Sequence, residues 1–122
     1  MSKILIIEDD YDLAFILRKG FQSEGFEAIT AYDGVQGTQM AHAQKPDLIM
    51  LDLGLPAGGG INTLKNLKLS TNTNFIPVIV LSGTDNQALI QEARDNGIKD
   101  FVQKPYEPKD LVELVKKVLK SE

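Results

Sequence analysis

Side chains able to do chemistry together stand in the run Glu8-Asp9-Asp10, at Asp52, at Ser82 and at Lys104, the last directly before Pro105. Carboxylates brought to one point repel each other and raise one another's pKa unless a cation sits among them. Oxygen ligands with no His or Cys suit a hard ion, and Mg2+, which keeps several of its waters, is the natural choice. A metal ion and the Lys104 ammonium together favour a dianionic group on or beside Asp52. That is the electrostatic layout of phosphoryl transfer, where positioning and charge neutralisation supply most of the catalysis. An aspartate carboxylate is a legitimate phosphoryl acceptor. Plainer roles compete with these. Asp10 reads as a helix N-cap, and Glu8 and Asp9 could simply complement the helix dipole. Ser82 could close a local Ser turn, and Lys104 could be a surface cation. His42, the sole histidine, has no acidic neighbour in the chain and reads as a bystander.

The elements that must position these groups are short apolar runs. Ile4–Ile7 leads into Glu8, Leu48–Leu51 into Asp52 and Val78–Leu81 into Ser82, while Phe101-Val102 comes just before Lys104. Ala28–Tyr32 is a weaker run of the same kind. Runs apolar on both faces suit parallel strands covered by helices. Between them the period lengthens to that of a helix. Leu13, Ile16, Leu17 and Phe21 share one stripe, and Ile61, Leu64 and Leu67 another. Leu89, Ile90 and Ala93 mark a further helix, and Leu111, Leu114, Val115 and Val118 the last, opened by Pro108. Residues 34–44 are the poorest helix and follow from the alternation alone. Gly20 is expected to let its helix approach the sheet, Gly25 and Gly97 to cap helices, and residues 59 and 60 to extend a loop.

Five βα units imply an α/β fold: a single doubly wound five-stranded parallel sheet, flavodoxin-like, whose crevice lies outside the carboxyl ends of the strands. Strand order is not readable from periodicity. The four reactive places therefore meet on one edge of the sheet. The 122 residues make one domain, spanning 1–122, with no output domain among them. Thirteen Lys+Arg against seventeen Asp+Glu leave a charge of −4, which offers no cation excess for nucleic acid. Lys116, Lys117 and Lys120 are better read as complementing a helix C-terminus. Without cysteine there are no disulfides, thiolate metal sites or thiol nucleophiles. No apolar run reaches membrane length, and four apolar residues after Lys3 are too few for a signal peptide. These features point to the cytoplasm.

Taken together, Ile4–Asp10 (ILIIEDD), Asp47–Pro56 (DLIMLDLGLP), Ile79–Gly83 (IVLSG) and Phe101–Tyr106 (FVQKPY) resemble the receiver domain of two-component response regulators. The resemblance covers the whole chain, with the motifs in family order. It implies the strand order 2-1-3-4-5 and phosphorylation of Asp52 by the phosphohistidine of a sensor histidine kinase or phosphotransfer protein. It also implies that Glu8, Asp9, Asp52 and the Gly54 carbonyl hold Mg2+, that Ser82 hydrogen-bonds the phosphoryl group and that Lys104 pairs with it. Phe101 stands where the family has an aromatic that swings inward on activation, and Lys104-Pro105 where the peptide bond is often cis. Such a domain would signal through the face of its fourth helix, fifth strand and fifth helix, to a downstream protein or to a second copy on phosphorylation. It would catalyse only its own modification and hydrolysis, and is not an enzyme acting on a free substrate.

The chain departs from the family at Pro56–Gly60, which lacks the usual residues after the proline, and at Gly54 and Thr84, which bear on phosphoryl lifetime. Other readings are a flavodoxin-type FMN binder, a haloacid-dehalogenase-like phosphatase and a phosphorylation-silent receiver. The first needs a Ser/Thr/Gly loop after strand one, where Glu8-Asp9-Asp10 would repel a phosphate. The second needs its nucleophile after strand one, and acids where Lys104-Pro105 stands. The third rests on the glycine loop alone.

Overall fold

The computed structural model describes residues 1–56 and 59–120. Strands and helices alternate: β1 (Lys3–Ile7), α1 (Tyr11–Ser23), β2 (Glu27–Ala31), α2 (Gly34–Gln44), β3 (Leu48–Asp52), α3 (Gly59–Leu69), β4 (Val78–Ser82), α4 (Gln87–Asp95), β5 (Asp100–Gln103) and α5 (Pro108–Lys120). All five strands pair in parallel in the order β2-β1-β3-β4-β5, as the resemblance implies.

Extended backbone sends alternate side chains to opposite faces, so each continuous apolar run serves two cores. Leu5, Ile7, Ile49, Leu51, Val78 and Val80 join residues of α2, α3 and α4 in one cluster. Ile4, Ile6, Leu48, Met50, Ile79 and Leu81 join Leu17, Phe21, Leu111, Val115 and Val118 of α1 and α5 in the other. β5 is the exception, an edge strand without a buried residue. Among the described residues, no helix is long and apolar enough to cross a membrane.

Several local expectations change. Gly59 and Gly60 belong to α3 rather than to a loop. A Cβ at Gly60 would collide with the Leu53 carbonyl, so the glycine allows α3 to start against the turn after β3. Nothing lies within 4 Å of a Cβ built on Gly20, so the close approach expected there is absent; α2 makes one instead, with Gly37 against the Ile7 side chain. The α1 stripe is also displaced. Ala14, Leu17 and Phe21 are buried, while Ile16 is 55% exposed. Gly25 and Gly97 do follow helix ends with positive φ, 92° and 84°. Ala57 and Gly58, part of the unusual loop, lie outside the described residues.

Candidate functional site

The strand order reverses between β1 and β3, which carry the chain away in opposite directions, and such a switch point opens a crevice at the carboxyl ends. Ile7 lies opposite Leu51 in the β1–β3 ladder, so Glu8 and Asp52 emerge side by side. Both are buried, at 2% and 5% exposure, while Asp9 is exposed. One carboxylate oxygen from each of Glu8, Asp9 and Asp52 lies within 4.8 Å of the others. The Asp10 side chain takes no part, although its backbone amide donates to Oε2 of Glu8 at 3.2 Å. It caps α1, its Oδ1 accepting from the amides of Asp12 and Leu13 at 3.0 and 3.1 Å.

Lys104, just beyond β5, brings the cation. Its Nζ lies 3.3 Å from Oδ2 of Asp52 and 3.5 Å from Oε1 of Glu8. Its own amide donates to the Ser82 carbonyl at 2.8 Å, which ties the end of β5 to the end of β4. The Lys104-Pro105 bond is cis. Opposite the lysine, Oδ1 of Asp52 accepts from the Gly54 amide at 2.9 Å. Ser82 ends β4 at the same edge, 2% exposed, with its Oγ accepting from the Thr84 amide at 3.0 Å. The local Ser turn is therefore real, and it uses only the acceptor side of the hydroxyl.

One lysine does not neutralise this site. Burial first, and then the neighbouring Asp52 carboxylate, push Glu8 from the ordinary 4.5 up to about 8. Desolvation penalises the charged form, and a second carboxylate beside it adds to that penalty. Oε1 of Glu8 is buried without a hydrogen-bond partner. A buried oxygen left in that state, in an all-oxygen acidic cluster, fits a hard divalent cation.

Phe101 stands apart from the carboxylates. On β5 it pairs with Val80, and its half-buried ring packs against the cluster under α4. The Arg94 guanidinium covers the ring at 5.8 Å from its centroid. His42, on α2, has no part in the site. Tyr106 ends the FVQKPY run, where its residue type assigns it no role. The phenol oxygen of Tyr106 is buried without a hydrogen-bond partner, and burial followed by the charges of Glu8 and Asp52 pushes it up to about 12. The signal available in the sequence was an aromatic with a polar tip immediately after Lys104-Pro105.

Comparison with known proteins agrees with this arrangement. The chain is 32% identical over 118 residues to sporulation initiation phosphotransferase F of Bacillus subtilis, covering 97% of this chain and 94% of that protein. It is 31% identical over 118 residues to the phosphate regulon transcriptional regulatory protein PhoB of Escherichia coli, covering 97% of this chain but only 52% of PhoB. Among solved structures it superposes on the Francisella response regulator 1452 receiver domain with a TM-score of 0.89, at 29% identity, covering 99% of this chain and 98% of that one. Residues 4–116 match the profile of the response regulator receiver domain, and the chain belongs to that family of two-component response regulators.

Proposed function

We propose that this chain accepts a phosphoryl group on Asp52 within a phosphorelay, from the phosphohistidine of a sensor histidine kinase or of a phosphotransfer protein. The observation that carries the reading is the buried Asp52 carboxylate, 3.3 Å from the Lys104 ammonium and clustered with Glu8 and Asp9. Glu8, Asp9, Asp52 and the Gly54 carbonyl are the groups that would hold Mg2+. Bound there, the ion would neutralise charge on the transferring phosphoryl oxygens.

The chain's own residues supply the rest. A carboxylate oxygen of Asp52 forms the new bond to phosphorus as the phosphorus–nitrogen bond of the donor breaks. The electron pair of that bond leaves with the imidazole, whose nitrogen then takes a proton. Lys104 pairs with the negative charge that arrives, its ammonium already 3.3 Å from Asp52. The Ser82 hydroxyl still has its proton to donate to a phosphoryl oxygen. Asp52 is regenerated by hydrolysis, so the protein turns over its own modification and no free substrate. The absence of a membrane-length helix among the described residues and the lack of cysteine support a cytoplasmic setting. The net charge of −4 supports protein partners rather than nucleic acid for this domain.

Incubation with acetyl phosphate and Mg2+, read by intact mass, should add one phosphoryl group to the wild type and none to Asp52→Asn. Phosphorylation undiminished in Asp52→Asn would sink the assignment of the acceptor.

A further inference from the structure

The two oxygens of the buried Glu8 carboxylate have different surroundings. Oε2 accepts from the Asp10 amide at 3.2 Å, whereas Oε1 is without a hydrogen-bond partner, 3.5 Å from the Lys104 ammonium. One oxygen is held by the main chain and the other is left open. The backbone of Glu8 is fixed as well, its amide donating to the Ala31 carbonyl of β2 at 2.9 Å. The orientation of the carboxylate therefore depends on where the Asp10 amide stands.

The cap of α1 decides that. Oδ1 of Asp10 accepts from the amides of Asp12 and Leu13, and the Asp10 carbonyl accepts from the Ala14 amide at 2.9 Å. Three bonds into the first turn of the helix hold one residue, whose remaining backbone group donates to Glu8. In a capping box the N-cap amide is taken by a Glu or Gln at the third helical position. Here that position is Leu13, whose side chain has no acceptor, so the amide is free for Glu8. The bond also favours the ionised form: burial pushes Glu8 toward its protonated state, and the Asp10 amide, like Lys104, acts against that.

We infer that Asp10 is a positioning residue for the metal site: its side chain, by capping α1, fixes the amide that holds Oε2 of Glu8 and so keeps Oε1 available to a cation. The inference rests on the reading of Glu8 as a Mg2+ ligand. The Asp10 side chain supplies no ligand itself. Carboxylates that ligate metals are held by hydrogen bonds of this kind, and loss of such a partner typically costs about 10–100-fold in metal affinity.

The test separates the charge of Asp10 from its cap, with Mg2+ alone as the probe and amide chemical shifts as the readout. Asp10→Asn and Asp10→Ser remove the charge and keep a capping oxygen, whereas Asp10→Ala removes both. The first two should bind Mg2+ nearly as well as wild type, and Asp10→Ala about 10-fold more weakly. Hydrogen exchange at the amide of residue 10 should quicken in Asp10→Ala alone. On a Glu8→Ala background Asp10→Ala should have little further effect, because the group it positions is gone. An equal loss in all three variants makes charge the cause and overturns the inference. A 10-fold loss that persists without Glu8 overturns it too, since the effect would not run through that carboxylate. Unchanged Mg2+ affinity in Asp10→Ala overturns it and leaves the metal site standing. If wild type shows no Mg2+-dependent shifts at Glu8, Asp9 and Asp52, the metal reading itself fails and the inference with it.

Discussion

In the absence of a cation, burial and the neighbouring Asp52 carboxylate keep a proton on Glu8 up to about pH 8, whereas the unfolded chain releases it near the ordinary 4.5. Between these values the folded state binds more protons than the unfolded one, so the stability of the metal-free protein falls as pH rises. Its thermal midpoint should drop between pH 5 and pH 8, and Glu8→Gln should flatten that slope. At pH 8 the variant should be the more stable by on the order of 1–3 kcal/mol. A midpoint that rises with pH over this range would show that Glu8 ionises freely in the fold. Mg2+ should restore stability most at high pH, where less proton has to be displaced. The residue types of the site were legible in the sequence because each follows an apolar run. Which of two adjacent acids carries the penalty was not. Just past the end of β1, Glu8 is buried and Asp9 is exposed, a distinction that depends on where the strand ends in space. The Tyr106 hydroxyl was illegible for a similar reason, since an aromatic after Pro105 gives no hint of what its far end meets.

At the scale of elements, β1, β3 and β4 announce themselves as apolar runs, and the structure gives each nearly the expected limits. The helices were harder. Small residues carry little pattern, so Ala14 was invisible, and Ile16 was placed in a stripe that the rotation of α1 turns toward solvent. Gly59 and Gly60 read as loop because glycine is the usual signal of one. The reason for Gly60 is tertiary: α3 begins against the Leu53 carbonyl. Gly20 and Gly60 therefore make opposite predictions. Gly20→Ala meets nothing and should stabilise by about 0.5–1 kcal/mol, the helix-propensity difference. Gly60→Ala should destabilise by about 1–3 kcal/mol, as overpacking does. Urea midpoints of the two variants check this, and a stabilised Gly60→Ala would mean that α3 shifts freely.

For the whole molecule, the strand order came from the resemblance and not from periodicity, which is blind to which strands are neighbours. The order makes β4, which ends in Ser82, the neighbour of β5, which carries Phe101, and the proposed signal to the α4–β5–α5 face would pass through that pair. A phosphoryl group on Asp52 puts nearly two negative charges where the carboxylate carried one, and brings three acceptor oxygens. A hydrogen bond from Ser82 to that charge contributes about 1.5–3 kcal/mol, and fuller burial of the half-exposed Phe101 ring contributes less than the roughly 1.5–3 kcal/mol of a complete transfer. Against them stands the Arg94–Phe101 contact, about 0.5–1 kcal/mol at an exposed position. The balance favours a population shift short of complete switching, which takes about 5.5 kcal/mol. Beryllofluoride, which stands in for the phosphoryl group, should move amide shifts across residues 86–120 in wild type and much less in Ser82→Ala. Equal responses would remove Ser82 as the coupling residue.

The carboxylates and the cation of the site are mounted on supports of unequal stiffness. Glu8 and Asp52 project from β1 and β3, central strands covered on both faces, while Lys104 projects from the end of β5, a four-residue border with one strand neighbour and no fully covered side chain. Under the proposed phosphorylation, a change in the charge on Asp52 would pull on Lys104 from the more firmly held side, and the ammonium would act as a tether that carries a chemical event at the centre of the sheet to its rim.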